Sequence, residues 1–195
     1  MTGPVPDLDP ETLGRCDAEG WLQGVPRLPS PNQDERPPGA EVSLLVVHAI
    51  SLPPGRFGGD GIERLFTNTL DPAADPYYME IHRLKVSAHF LVRRDGAAVQ
   101  FVACSRRAWH AGASVWRGRQ RCNDFSIGIE VEGCDWLPFE PVQYRVLAAL
   151  IRVLRLDFPI ADIAGHADIA PGRKTDPGPH FDWNRLHALL EPGQP

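Results

Sequence analysis

Residues 165–179, GHADIAPGRKTDPGP, place three prolines and three glycines in fifteen positions. Each proline removes a backbone donor and fixes φ at about −65°, so the segment cannot run as a helix. It reads as a rigid loop that aims charged groups in set directions. His166 and Asp176 are candidate metal ligands there, with Lys174 directing cationic charge to the same place. Far upstream, the apolar run Leu44-Leu45-Val46-Val47 closes on His48. Two histidines and one carboxylate, with a fourth position open, is a catalytic zinc arrangement. Seven histidines are present (His48, His82, His89, His110, His166, His180 and His187), and spacing alone does not select among them. No H-E-x-x-H occurs, which excludes the helix-borne metalloprotease pattern.

The rest of the chain bounds the fold. A length of 195 residues suits one domain with a full core. Eight of the 20 prolines fall in residues 1–40, predicting extended or irregular chain there. Residues 1–18 are expected to be a flexible tail and residues 19–195 the domain. A net charge of −5 without a polybasic run argues against a nucleic-acid partner. No apolar stretch reaches the roughly 18 residues of a membrane span. The first ten residues lack the basic and apolar regions of a secretory signal, so the expectation is a cytoplasmic protein. Nothing marks a dimer interface, so a monomer is expected. Cys16, Cys104, Cys122 and Cys134 form no C-x-x-C pair and read as reduced thiols.

Periodicity assigns the elements. Ser43 to Val47 is continuously apolar, as for a strand covered on both faces. Ile62 to Phe66 has helical spacing. His89 to Arg93 and Ala98 to Ala103 flank Asp95-Gly96, predicting a hairpin with a tight type I′ turn. Ser126 to Val131 alternates as a strand, with Gly128 permitting close backbone approach. Pro141 to Leu156 carries Leu147, Leu150, Ile151 and Leu154 on one helical face, with Arg145, Arg152 and Arg155 opposite. Asp182 caps a last helix with Trp183, Leu186, Leu189 and Leu190 inward. Strands alternating with helices predict an α/β (α+β) single domain, a sheet with helices packed on its faces.

Glu130 and Glu132 alternate at the end of the predicted strand, which puts both carboxylates on one side. A carboxylate beside a metal-bound water is what a hydrolase needs for proton transfer; a solvated strand edge accounts for them equally well. Asp176 could likewise close an Asx turn, and Arg173 and Lys174 could be plain solvated charges.

Taken together, VPRLPSP (25–31), LLVVHAISLPPG (44–55), RCNDFSIGIEVEG (121–133) and the loop at 165–179 resemble one known family. So do Val86 to His89, Arg93 to Gly96 and Ala108 to Gly112. It is the 1,6-anhydro-N-acetylmuramyl-L-alanine amidases of bacterial cell-wall recycling, within the zinc amidases related to peptidoglycan-recognition domains. The match runs from about residue 20 to 183. The resemblance implies a central mixed sheet flanked by helices and one zinc ion per chain held by His48, His166 and Asp176. It implies Glu130 as proton carrier and Lys174 as the cation facing developing negative charge. Tyr77, Trp109, Arg121, Ala170 and Arg173 match positions lining the family's substrate groove. The implied substrate is a small anhydromuropeptide, cut between the lactyl group and L-Ala. The chain departs from the pattern at Ala49 and Lys85, where the family carries Asn and Arg. The alternative reading is a non-catalytic binder or sensor of peptidoglycan fragments. Such binders characteristically lose a zinc ligand, and this chain retains all five central residues. An envelope amidase acting on intact cell wall is a third reading, disfavoured by the anhydro-type loop segments.

Overall fold

The computed structural model describes residues 13–191. Most of the expected tail, residues 1–12, lies outside them. Residues 13–18, assigned to that tail, make hydrogen bonds to the domain. The Gly14 N–H donates to the Gln23 carbonyl at 3.2 Å. Arg15 donates to the Leu156 carbonyl at 2.8 Å, and the Cys16 N–H to the Asp157 carboxylate at 2.9 Å. These bonds, and a bridge between Cys16 and Leu22, seat Leu22 in the core with no exposed surface.

In chain order the elements are β1 (Gln33–Asp34), β2 (Leu44–Ile50), α1 (Gly61–Phe66), α2 (Pro76–Ile81), β3 (Phe90–Val92) and β4 (Ala98–Gln100). Then come β5 (Arg107–Ala108), β6 (Val115–Trp116), β7 (Arg119–Gln120), a 3-10 turn at Cys122–Asp124, and β8 (Ser126–Glu132). The chain closes with α3 (Pro141–Asp157), β9 (Asp162–Gly165), α4 (His166–Ile169) and α5 (Trp183–Leu190). Five strands form the central sheet in the order β4-β3-β8-β2-β9. The pairs β3–β8, β8–β2 and β2–β9 are parallel, while β3–β4 is antiparallel. This is the mixed sheet flanked by helices that the family resemblance implies.

Alternation divides the strands between two faces. Leu45 and Val47 of β2 and Ile127, Ile129 and Val131 of β8 pack against Val146, Leu147, Leu150, Ile151 and Leu154 of α3 and Leu186 of α5. Burying one such side chain stabilises by about 1.5–3 kcal/mol. Helix α3 begins where expected: Pro141 follows the Glu140 cap, and the Glu140 N–H donates to Gln143 Oε1 at 2.9 Å. It stops at Asp157 because Pro159 excludes helical conformation from Phe158. The opposite face carries Leu44 and Val46 over Cys122, Phe125 and Ile169, then Leu91 and Phe101 over α1. That face also carries the polar residues of β2 and β8.

Two local expectations are corrected. The hairpin turn is not type I′. Arg93 pairs with Ala97, leaving three loop residues, and among Arg94, Asp95 and Gly96 only Gly96 takes positive φ, at 90°. That is a type I turn closed by a glycine bulge, which spares Asp95 the left-handed conformation. The loop at 165–179 likewise opens with one helical turn, α4, because all three prolines lie beyond it. The Gly165 N–H donates to the Asp168 carboxylate at 2.7 Å, tying off the start of that turn. The four cysteines are free thiols; Cys104, Cys122 and Cys134 are buried. Among the described residues no helix is long and apolar enough to cross a membrane.

Candidate active site

Parallel pairing brings the site residues together. His48 of β2 sits directly beside Glu130 of β8, and Val47 beside Gly165 of β9. His166 follows Gly165 immediately, so three adjacent parallel strands deliver two histidines and a glutamate to their carboxyl ends. Ligand sites in parallel sheets collect at that end. The loop after α4 then returns Asp176, whose carbonyl accepts from the Ala167 N–H at 2.8 Å.

Three donor atoms converge. His48 Nδ1 and His166 Nδ1 are 2.9 Å apart, and Asp176 Oδ2 lies 3.3 and 3.1 Å from them. Ligands about 2.0–2.1 Å from a tetrahedral ion stand about 3.3 Å from one another. The outer nitrogen of His166 is bonded elsewhere: Nε2 lies 3.2 Å from the Ala111 carbonyl, which can only accept. That contact puts the proton of the neutral ring on Nε2 and its lone pair on Nδ1. A lone pair facing a carboxylate oxygen at 3.1 Å is what a cation resolves, so the donor set fits a divalent metal. Burial drives the pKa of His48 down to about 4, with the neighbouring Asp176 opposing, so at neutral pH the ring is uncharged, the form able to donate a lone pair.

Glu130 is buried, and its Oε2 has no hydrogen-bond partner among the described residues. Burial, and then the nearby Asp176, push its carboxyl well above the ordinary range, against the pull of Lys174. A buried carboxyl with a free oxygen is poised to take up and release a proton. Glu132, two residues on, accepts instead from the Gly58 N–H at 2.7 Å, the Arg94 N–H at 3.0 Å and Arg93 at 3.1 Å. The two carboxylates share a strand face, as alternation predicts, but Glu132 holds loops.

These groups open into a groove of about 500 Å³ lined by Tyr77, Trp109, Arg173 and Lys174 as well as the central residues. The Trp109 indole N–H donates to Asp34 at 3.1 Å, which sets the ring's orientation. Arg173 donates to the carbonyls of Ala111 and Ala113 at 2.6 and 2.7 Å, joining the loop to the 111–113 segment. Arg121 and Ala170 do not line this groove. The Arg121 side chain is 69% exposed, turned toward Asp124 at 3.3 Å. Ala170 is buried against Leu44 and Val46; its carbonyl accepts from the N–H groups of Arg173 and Lys174, so it shapes the turn that carries them. Trp136, 58% exposed on the groove wall beside Gly55, carried no sequence signal. Nor was His110 assigned a part. Gly128, marked as a point of close approach, is where its ring packs, a Cβ there falling 2.5 Å from His110 Cγ.

Two histidines and a buried glutamate at the ends of parallel strands, with a loop aspartate beside them, form a donor set able to hold a metal ion next to a proton-transfer group, an arrangement suited to hydrolysis. The chain belongs to the N-acetylmuramoyl-L-alanine amidase family, whose model matches residues 38–179. It is similar to the 1,6-anhydro-N-acetylmuramyl-L-alanine amidase AmpD of Salmonella typhimurium strain SL1344, at 58% identity over 174 residues, 88% of this chain and 93% of that one. Its fold is similar to the crystal structure of a Se-Met AmpD derivative, with a TM-score of 0.88 at 56% identity, over 91% of this chain and 99% of that one. A more distant likeness, TM-score 0.57 at 28% identity, is to AmiD of E. coli in complex with anhydro-N-acetylmuramic acid-L-Ala-D-gamma-Glu-L-Lys. It covers 92% of this chain and 66% of that one.

Proposed function

We propose that this protein hydrolyses the amide between the lactyl group of 1,6-anhydro-N-acetylmuramic acid and L-Ala in muropeptides released during cell-wall recycling. The observation that carries the reading is the convergence of His48, His166 and Asp176 within 4.8 Å beside the unpartnered Oε2 of Glu130. The substrate class is supported by the likeness to AmpD enzymes over most of the chain and by the AmiD substrate complex.

His48 Nδ1, His166 Nδ1 and an oxygen of Asp176 are the proposed ligands of one zinc ion. Bound zinc supplies Lewis acidity, polarising the scissile carbonyl and making water acidic enough to attack near neutral pH. Glu130 Oε2 takes the proton from the attacking water and delivers it to the departing amine nitrogen of L-Ala. Burial raises its pKa, which favours the proton-holding form that protonates the amine. The Lys174 ammonium, on the exposed rim, faces the negative charge that develops on the carbonyl oxygen. Tyr77 and the Asp34-held Trp109 supply groove walls for the sugar and peptide, and Arg173 supplies a cation for stem-peptide carboxylates. Arg121 and Ala170, which lie outside the groove's lining, stay in the proposed contact set on the family resemblance alone. The protein is taken to act as a monomer in the cytoplasm, where recycled fragments are small and soluble.

The test is mass spectrometry of an anhydro-N-acetylmuramyl tripeptide incubated with the zinc-loaded protein. Free tripeptide and anhydro-N-acetylmuramic acid are the expected products. Intact substrate that nonetheless binds would replace the amidase reading with that of a fragment-binding protein.

A further inference from the structure

His110 lines the groove beside the candidate ligand His48, its ring seated over Gly128 of β8, and takes no part in the reaction as proposed. It occupies a slot that exists only because residue 128 is glycine: a Cβ there would lie 2.5–2.8 Å from three atoms of the ring. Its backbone is pinned as well. The N–H groups of His110 and Ala111 both donate to Asn123 Oδ1, at 3.2 and 2.8 Å.

The hydrogen bonds around this ring run in one direction. Ser126 Oγ lies 2.6 Å from the Cys122 carbonyl, and a carbonyl only accepts, so the serine proton is committed there. Ser126 Oγ can therefore only accept from His110 Nε2, 3.2 Å away. A neutral imidazole with its proton on Nε2 has an acceptor at Nδ1. His110 Nδ1 is 2.8 Å from His48 Nε2, so His48 must donate from Nε2. The remaining lone pair of His48 then sits on Nδ1, the atom 2.9 Å from His166 Nδ1. We propose that His110 and Ser126 are positioning residues. Through this relay from the Cys122 carbonyl they fix the tautomer and ring orientation of His48 that the metal requires.

The inference rests on the zinc reading above and adds to it a defined origin for the His48 lone pair. Outer partners of this kind typically contribute about 10- to 100-fold in metal affinity. The equivalent partner of His166 is the Ala111 carbonyl, which no side-chain substitution removes. His48 alone depends on a side-chain relay, and so its tautomer is open to mutation.

The experiment is a chelator-competition titration of zinc on the full chain and on three variants, paired with 15N NMR of the histidine rings in the zinc-loaded wild type. His110→Phe is expected to weaken zinc binding about 10- to 100-fold. His110→Gln, which can accept and donate in the same positions, is expected to recover most of that loss. A purely space-filling role would predict the reverse order. Ser126→Ala, which only unlocks the His110 tautomer, is expected to fall between the wild type and His110→Phe. In the wild type, His110 should carry its proton on Nε2 and show scalar coupling from Nδ1 to His48 Nε2. A proton on His110 Nδ1 overturns the relay even if no variant folds. Zinc affinity of a folded His110→Phe equal to wild type overturns it too. Wild-type protein that binds no zinc would instead remove the metal reading itself, and the relay with it.

Discussion

Single atoms separate the roles of the central residues. Asp176 offers one carboxylate oxygen to two imidazole nitrogens, so Asp176→Ala should lose zinc together with activity. Full zinc occupancy of the purified variant would place Asp176 outside the ligand set. Lys174 is exposed and forms no ion pair among the described residues, so it is free to face the substrate. Lys174→Ala should therefore keep its zinc while kcat falls about 100- to 1,000-fold, the usual cost of removing one charge-stabilising group. Turnover near that of the wild type would make the lysine a bystander. At this scale the candidate residue types were legible in the sequence, because a Pro- and Gly-rich loop concentrates His166, Lys174 and Asp176, though an Asx turn and solvated charges accounted for the last two as well. Which of seven histidines joins them was not legible from spacing. Ligand choice depends on which side chains the sheet register sets side by side, and only the family resemblance anticipated it.

Among the elements, β8 does the most to organise the site. Its odd residues Ile127, Ile129 and Val131 enter the core under α3. Its even residues serve four separate purposes on the other face. Ser126 bonds Cys122, Gly128 makes room for His110, Glu130 faces the groove, and Glu132 clamps Gly58 and Arg93. Gly128→Ala should overpack this face. Its methyl would meet a buried ring beneath 3 Å, and such overpacking typically costs about 1–3 kcal/mol, read as a lower urea midpoint with unchanged slope. A midpoint equal to wild type would mean that His110 moves aside freely. The alternation of β8 and the face of α3 could be read directly, since period 2 and period 3.6 are local properties. The hairpin turn was misread because Asp-Gly serves both a type I′ turn and a type I turn with a glycine bulge. Strand register, which residues 93–97 alone do not contain, decides between them.

For the molecule as a whole, buried histidines tie stability to pH. His89 Nδ1 accepts from the Gly128 N–H at 3.0 Å, so its proton is on Nε2, 3.1 Å from the Arg106 carbonyl. Burial, and then the Arg36 guanidinium 3.1 Å from that nitrogen, hold its pKa down at about 3. An unfolded histidine protonates below about pH 6.5, so between those limits the unfolded chain binds more protons and stability falls as pH drops. From about pH 7.5 to 5.5 His89 alone should remove about 1.4 kcal/mol. Urea unfolding at both pH values should show this loss shrinking in His89→Gln, and an unchanged difference would rule His89 out as its source. By itself the sequence determined what is local or compositional. That includes the strands β2, β3, β4 and β8, the helices α1, α3 and α5 with their buried faces, and a proline-rich loop carrying His166, Lys174 and Asp176. The tertiary structure alone decided which distant residues touch. His48, Glu130 and His166 meet because β9, β2 and β8 pair in parallel at a fixed register, and His110 reaches His48 because Gly128 leaves a slot. Those contacts span tens of residues, and no periodicity encodes them, because they arise from how complete elements pack.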